Sequence, residues 1–277
     1  MASNCIRGYT EKNTCFGASI CSDEINTGIT KDYCLFTALK EQYGAEGAFV
    51  LGGLAGIPFV GKSGLGAYAH HVPDKDKQNG KLLVLYGPHV GISDTGDVGK
   101  IQRVGRAKLS GACGAIIGAY QQIARTYSAS DSFPTSPTKL VSTGFDHQED
   151  YIIQGLKRRF ARDPSALVTN TVDPLVFSTY QVYCMTRDLL YSSITASGTL
   201  DECDEIALVG GIIINQHGAT DYFQPLSFQV AKKITDGNET SISTLDLYNS
   251  TFGKKPMLAK VGGKEESVQD IYSEAVL

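Results

Sequence analysis

Lys81-Leu-Leu-Val-Leu-Tyr86 and Ile206-Ala-Leu-Val-Gly-Gly-Ile-Ile-Ile-Asn215 are nearly unbroken apolar runs. A strand with one wet face alternates apolar and polar residues, whereas a run without alternation suits a strand covered on both faces. Two such runs predict a central, mostly parallel sheet sandwiched by helices. Working outward, shorter strand patterns lie at 18–22, 49–51 and 139–142, and helical periodicity runs over 31–43, 114–127, 148–162 and 174–193. The last of these helices is marked by Asp173 as N-cap and Pro174 at the first helical position, where a missing N–H costs nothing. Asp94-Thr-Gly-Asp97 reads as a hairpin turn after the strand that starts at Lys81. Residues 128–137, rich in Ser and Pro, read as a loop between two layers of one domain. The expectation is an α/β class: at least four central strands, with helices on both faces.

A chain of 277 residues can bury one sizeable core or two modest ones. Apolar residues at 42% and charged residues at 19% are ordinary for a globular protein. A formal charge of −4 and a pI near 5.7 provide no basic stripe to neutralise phosphates, which argues against nucleic acid as a partner. The one dense basic cluster, Lys157-Arg158-Arg159, reads as a solvated helix face. No apolar run approaches the roughly 18–20 residues of a membrane span. Met1-Ala-Ser-Asn-Cys5 carries neither a signal-peptide core nor an Arg-rich transit segment. The expected location is cytoplasmic, or chloroplast or mitochondrion after leader removal. Seven cysteines, an odd count at irregular spacing, point to a reducing compartment.

Three places put metal-capable side chains at strand ends or turns. A short strand runs out into Cys21 and then Asp23, a long apolar strand delivers His89 past a Gly-Pro break, and Cys113 opens an apolar helix. Sites in open α/β sheets form at the carboxyl ends of strands, and helix N-termini favour the thiolate that binds metal. Singly, a buried cysteine is more often a small core hydrophobe, and the short-spaced zinc motifs CxxC and HExxH are absent. Together, two cysteines and a histidine make a known catalytic zinc set that leaves a fourth position open. Cys21, His89 and Cys113 are therefore the expected ligands of a Zn2+ cofactor, with His70 and His71 as rivals to His89. Read as strand residues, His70 and His71 point to opposite faces, so at most one reaches the site. His71 is then a candidate for proton transfer or for packing. Cys5, Cys15, Cys34, Cys184 and Cys203 are taken as structural or incidental. Residues 56–63 also fit the phosphate-loop pattern GxxxxGK[ST]. That pattern needs a strand before it and a helix after it, and the glycines of 61–66 argue against the helix.

Cys-Ser-Asp (21–23), the strand ending in Gly-Pro-His (87–89) and Cys-Gly-Ala (113–115) loosely resemble the β-type carbonic anhydrases. Those carry Cys-x-Asp-x-Arg and then His-x-x-Cys-Gly. Here His89 and Cys113 stand 24 positions apart (113 − 89). A closer resemblance is to the limiting-CO2-inducible B protein family of algae, related to the theta carbonic anhydrases. It rests on Cys-Ser-Asp-Glu-Ile-Asn (21–26), Gly-Gly-Leu-Ala-Gly-Ile-Pro-Phe (52–59), Gly-Lys-Ser-Gly-Leu-Gly-Ala (61–67) and Ala-His-His-Val-Pro (69–73). Tyr-Gly-Pro-His-Val-Gly (86–91), Val-Gly-Lys-Ile-Gln-Arg (98–103) and Gly-Ala-Cys-Gly (111–114) continue it. The first half of the chain carries it densely and the rest more thinly.

The resemblance implies a β-carbonic-anhydrase-like fold, a Cys-His-Cys zinc, an Asp–Arg dyad and an obligate homodimer. It implies reversible hydration of CO2 to bicarbonate, or, since some members show no detectable hydratase activity, a zinc-holding scaffold of the CO2-concentrating system. The whole, 1–277, is then a single zinc-binding α/β domain. Two thiolates and a neutral imidazole cancel the metal's formal charge (+2 − 2 = 0), so water on it is less acidified than on a three-histidine zinc. The activity profile is expected to shift towards basic pH. Asp23, two residues after Cys21, lies where it would compete for the open position, unless an arginine clamps it bidentately. In the β-type motif that arginine follows the aspartate by two positions, which here is Ile25. Arg103 is the first choice for the clamp and Arg106 the second. Asp23 as a simple turn cap is the alternative.

Overall fold

The computed structural model describes residues 8–27, 35–44, 47–73, 79–130, 146–162, 173–216, 221–236 and 239–252. The strands are β1 (Thr14–Ile20), β2 (Phe49–Val50), β3 (Lys81–Gly87), β4 (His89–Ile92), β5 (Lys100–Ile101), β6 (Ser110–Gly111), β7 (Glu205–Gln216), β8 (Tyr222–Asp236) and β9 (Glu239–Asp246). The helices are α1 (Leu35–Tyr43), α2 (Gly61–Ala69), α3 (Gly114–Ser130), α4 (His147–Arg162), α5 (Pro174–Ser197), α6 (Thr199–Glu202) and α7 (Tyr248–Phe252). The main sheet runs β2-β1-β3-β7-β8-β9, with β4 also on β7. The pairs β1–β2, β1–β3, β3–β7 and β4–β7 are parallel, and β7–β8 and β8–β9 antiparallel. The mixed, mostly parallel sheet with helices on both faces is the architecture that the two apolar runs require.

Those runs are the two strands at the sheet centre. Successive residues of a strand face opposite ways, and β3 has core on both sides. Leu82, Val84 and Tyr86 pack with Leu65, Tyr68, Tyr183 and Leu190 of α2 and α5. Leu83 and Leu85 pack on the other face with Phe16, Leu39 and Tyr43. The long helix α5 is buried on several sides because it lies between the sheet and a second helix layer, α3 and α4, which encloses Ile116, Ile152, Phe160 and Phe177. A helix that is apolar nearly all round belongs in such a place. Leu83 is fully buried, so Leu83→Ala should cost about 2–5 kcal/mol. Urea unfolding checks this, and a loss under about 1 kcal/mol would mean that the site collapses around the cavity.

Some details differ from the sequence reading. The strand read at 18–22 begins earlier and ends at Ile20. The α5 cap is as expected, with Asp173 accepting from the N–H groups of Leu175 and Val176. The 128–137 segment is not all loop, because α3 continues through Ser130; its remainder, the 139–142 strand, Cys5, Cys34 and residues 31–34 of the first helix pattern lie outside the described residues. Arg159 is not on a solvated face. It bonds to Asp188 at 3.2 Å and to Gln181 Oε1 at 3.1 Å, tying α4 to α5. The glycine-rich 61–69 stretch is helix, held by Leu65, Tyr68 and Ala69 in the core. A 3-10 turn, Leu54–Gly56, precedes it where the phosphate-loop pattern needs a strand. Among the described residues no helix is long and apolar enough to cross a membrane.

Candidate metal centre

Three chain segments converge at the carboxyl end of β1. Cys21 is the first residue beyond that strand, and the Ser22 N–H donates to the Gly53 carbonyl. His89 opens β4, which continues the line of β3 past Gly87-Pro88. Tyr86 pairs with Gly210 and His89 with Ile213, so both strands keep one register along β7. Gly87 makes this continuation possible. Its φ is +140°, and a Cβ built there would lie 1.8 Å from the Gly211 carbonyl oxygen. Only glycine lets the strands approach so closely. Cys113 arrives on a backbone ladder: the Gly91 N–H donates to the Ala112 carbonyl, Ala112 N–H to Gly99, and Gly99 N–H back to Gly91. It precedes α3, and its own carbonyl accepts from the Ile117 N–H.

The sulfurs of Cys21 and Cys113 are 3.7 Å apart. With a ring nitrogen of His89 they form a group whose ligand atoms all lie within 4.8 Å of one another, all three residues being buried. His89 Nδ1 bonds to Asn215 Oδ1 at 2.7 Å. Nε2 is therefore the nitrogen left over, and among the described residues this buried atom has no well-aligned hydrogen-bond partner. A buried polar atom without a partner costs free energy, and a metal ion would supply one. Two sulfurs and an imidazole at this spacing form a donor set of the kind zinc takes. The group can hold a metal ion.

Asp23 sits beside it. Its Oδ1 accepts from Arg103 Nη1 at 2.8 Å and its Oδ2 from Arg103 Nη2 at 2.6 Å, a bidentate clamp. Arg103 also donates to Glu24 through Nη1, to Ser110 Oγ at 3.0 Å through Nε and to the Gly111 carbonyl through Nη2. Asp23 Oδ1 also accepts from the Ile25 N–H as cap of the short Glu24–Asn26 turn, so the two readings of this residue, dyad member and turn cap, coexist. Asp23 Oδ2 stands 3.8 Å from His89 Nε2.

Without metal, the hydrogen bond with Cys113 draws the Cys21 thiol down to about 4 against the burial that opposes it, and contacts with His89 help. The same hydrogen bond, with burial, holds Cys113 well above the ordinary thiol range. Burial pushes the His89 imidazole down, but Cys21, Asn215 and Asp23 outweigh it and the net direction is up. Burial likewise raises Asp23, while Arg103, His89 and Glu24 bring it below its ordinary value.

Residues 3–232 match the family described as limiting CO2-inducible proteins B/C beta carbonic anhydrases. The chain belongs to this family. Among solved structures it is similar to PtLCIB4, a homolog of the limiting CO2-inducible protein LCIB. Identity to it is 32% and TM-score 0.67, over 81% of this chain and 84% of that one. A histidine-to-alanine mutant of PtLCIB4 gives 31% identity and TM-score 0.66, over 81% and 82%. Limiting CO2-inducible protein LCIB is 19% identical, with TM-score 0.58 over 87% and 86%, a likeness of fold. None of the curated proteins compared with the chain matches it.

In this member of the limiting CO2-inducible B/C family, Cys21, Asp23, His89, Arg103 and Cys113 are brought together, and the other sequence candidates, His70, His71 and Arg106, are not. His70 caps the C-terminus of α2 and His71 follows in a turn, both exposed. Strand alternation therefore does not apply to them. The His71 ring packs edge-on against Phe49 at 5.4 Å, and neither histidine is in the Cys21–His89–Cys113 group. Arg106 is exposed, its N–H bonded to the Arg103 carbonyl in the turn that presents Arg103. Asn215 and Asn26 were not foreseen. Asn215 stands near the end of the apolar run on β7, where a buried amide is out of place unless it serves a polar neighbour.

Proposed function

We propose that this chain is a zinc-dependent carbonic anhydrase that reversibly hydrates CO2 to bicarbonate, working as a homodimer. The observation that carries the reading is a carboxylate clamped on both oxygens by Arg103, beside the buried Cys21–His89–Cys113 group. The two cysteines would hold the metal as thiolates and His89 through Nε2. Zinc, when bound, supplies a Lewis acid with an open position at which water gains nucleophilic character towards CO2. Arg103 keeps Asp23 turned from that position by occupying both its oxygens. The remaining lone pair of Asp23 Oδ2 can then take a hydrogen bond from the attacking water and fix its direction. Two sulfurs 3.7 Å apart are open to disulfide formation in oxidising surroundings. A reducing compartment, cytoplasmic or organellar, keeps them available.

Stopped-flow CO2 hydration by zinc-loaded and metal-stripped protein tests the reading, with activity expected only in the first. Arg103→Ala should keep its zinc and lose about 10²-fold in rate, the scale of a misplaced reacting group. Arg103→Lys should not restore it, because a point charge cannot grip both oxygens. A zinc-loaded parent no faster than buffer would leave the zinc-holding scaffold of a CO2-concentrating system as the reading.

A further inference from the structure

We propose that Asn215 and Asp221 fix the tautomer of His89, and are positioning residues for the metal centre. The consequence for metal rests on the reading above; the tautomer does not. An amide oxygen only accepts. At 2.7 Å from Asn215 Oδ1, His89 Nδ1 must therefore carry a hydrogen, and in the neutral ring Nε2 is left with the lone pair.

What keeps the amide this way round is Asp221. Asn215 Nδ2 donates to Asp221 Oδ2 at 3.1 Å and to Asn26 Oδ1 at 3.3 Å. Turned over, the amide would set its oxygen against the Asp221 carboxylate and against Asn26 Oδ1, two repulsions in place of two bonds whichever ring nitrogen holds the hydrogen. Asn215 is fully buried, Asn26 is 1% and Asp221 9% exposed, so solvent offers little escape. The strand register puts the pieces in place. His89 pairs with Ile213 on β7, and Asn215, two residues further, lies on the same side of the strand. Asp221 directly precedes β8, which returns alongside. The network also reaches the first cysteine, because Asn26 Nδ2 donates to the Cys21 carbonyl at 3.3 Å. One set of buried amides and a carboxylate thus steadies two ligand-bearing segments. Partners of this kind orient metal-binding imidazoles in general, and their loss weakens metal binding by about 10–100-fold.

The test uses the full chain, 15N-labelled and metal-stripped, at a pH where its imidazoles are neutral. Long-range proton–nitrogen correlation reads the tautomer of His89, assigned by the signal missing from His89→Gln protein. The parent should show Nδ1–H. Asn215→Leu should move to the Nε2–H form that a free imidazole prefers. The pair Asn215→Asp with Asp221→Asn should keep Nδ1–H, since a carboxylate then accepts from the ring and an amide donates to it. Zinc affinity by chelator competition should fall about 10–100-fold in Asn215→Leu and stay near the parent's in the exchanged pair. A parent in the Nε2–H form, or Asn215→Leu still wholly Nδ1–H, overturns the proposal. Should Asn215→Leu fail to fold, Asp221→Ala takes its place, with mixed tautomers supporting the proposal and pure Nδ1–H overturning it. A parent that binds no zinc while its tautomer responds as described defeats the metal reading alone.

Discussion

Purified Cys113→Ala protein is expected to retain only traces of zinc and to hydrate CO2 at the rate of buffer. The proposed set has three ligands, and this change removes one whose sulfur lies 3.7 Å from that of Cys21. Zinc binding by a four-ligand structural site is worth about 10–16 kcal/mol, so an even share for one ligand is about 3 kcal/mol, or about 10²-fold in affinity. The pocket cannot make up the loss. Cys113 is 3% exposed, and its neighbours Ile116, Ala119 and Ile123 carry no donor. Asp23, the nearest alternative, is held by Arg103 on both oxygens. Metal analysis of the purified variant, with circular dichroism to show that it is folded, decides the matter. Full zinc occupancy would remove Cys113 from the site.

Among the described glycines, Gly87→Ala should be the most damaging addition of a methyl. The added Cβ would meet the Gly211 carbonyl oxygen at 1.8 Å, and φ of +140° strains any L-residue. A backbone carbonyl cannot swing aside as a side-chain tip can, so β3 and β7 must part. Strain and clash together should cost on the order of 4 kcal/mol, a fall of about 10 °C in melting temperature for a chain of this size. His89 lies two residues on, so a molecule that still folds should also bind zinc poorly. A variant within about 1 kcal/mol of the parent would show that the strands slide past each other at little cost.

The centre of the fold was legible because its residues face core on both sides. Lys81–Gly87 and Glu205–Gln216 have no polar alternation to confuse them with anything exposed. The partners β8 and β9 were not read. Pro225 and the register shift opposite Gly210/Gly211 break the period of β8, and Ile234, Ile242 and Leu245 are exposed, so neither alternation nor an unbroken run survives. Helix α2 was hidden by its glycines, which have no propensity for it; Tyr68, hydrogen-bonded to the carbonyls of Cys15 and Leu83, anchors it from the sheet. At the site, the ends of strands and the start of a helix pointed to Cys21, His89 and Cys113. That Asp23 has an arginine partner followed from the family resemblance, which left Arg103 as first choice and Arg106 as second; the bidentate contact falls to Arg103. Asn215 and Asp221 escaped because their meaning lies in pairing between strands, which no local pattern records.

The excursion between His89 and Cys113 bears on how such a site can be altered. Its two ends are stitched together by Gly91, Gly99 and Ala112, so the histidine and cysteine meet whatever the intervening length. The same excursion carries Arg103 to Asp23, while its tip, Val104, is 92% exposed. Side-chain changes at Val104 are therefore nearly free to accumulate, so long as the turn that presents Arg103 keeps its shape. Shortening the excursion towards the compact spacing of the β-type motif is different. It would bring the ligands no closer and would delete the clamp, leaving a centre that can hold its ion while losing control of the carboxylate next to it. On the proposed reading, metal binding and turnover are thus separable by edits to one segment, a route by which related chains could keep the metal and shed the activity.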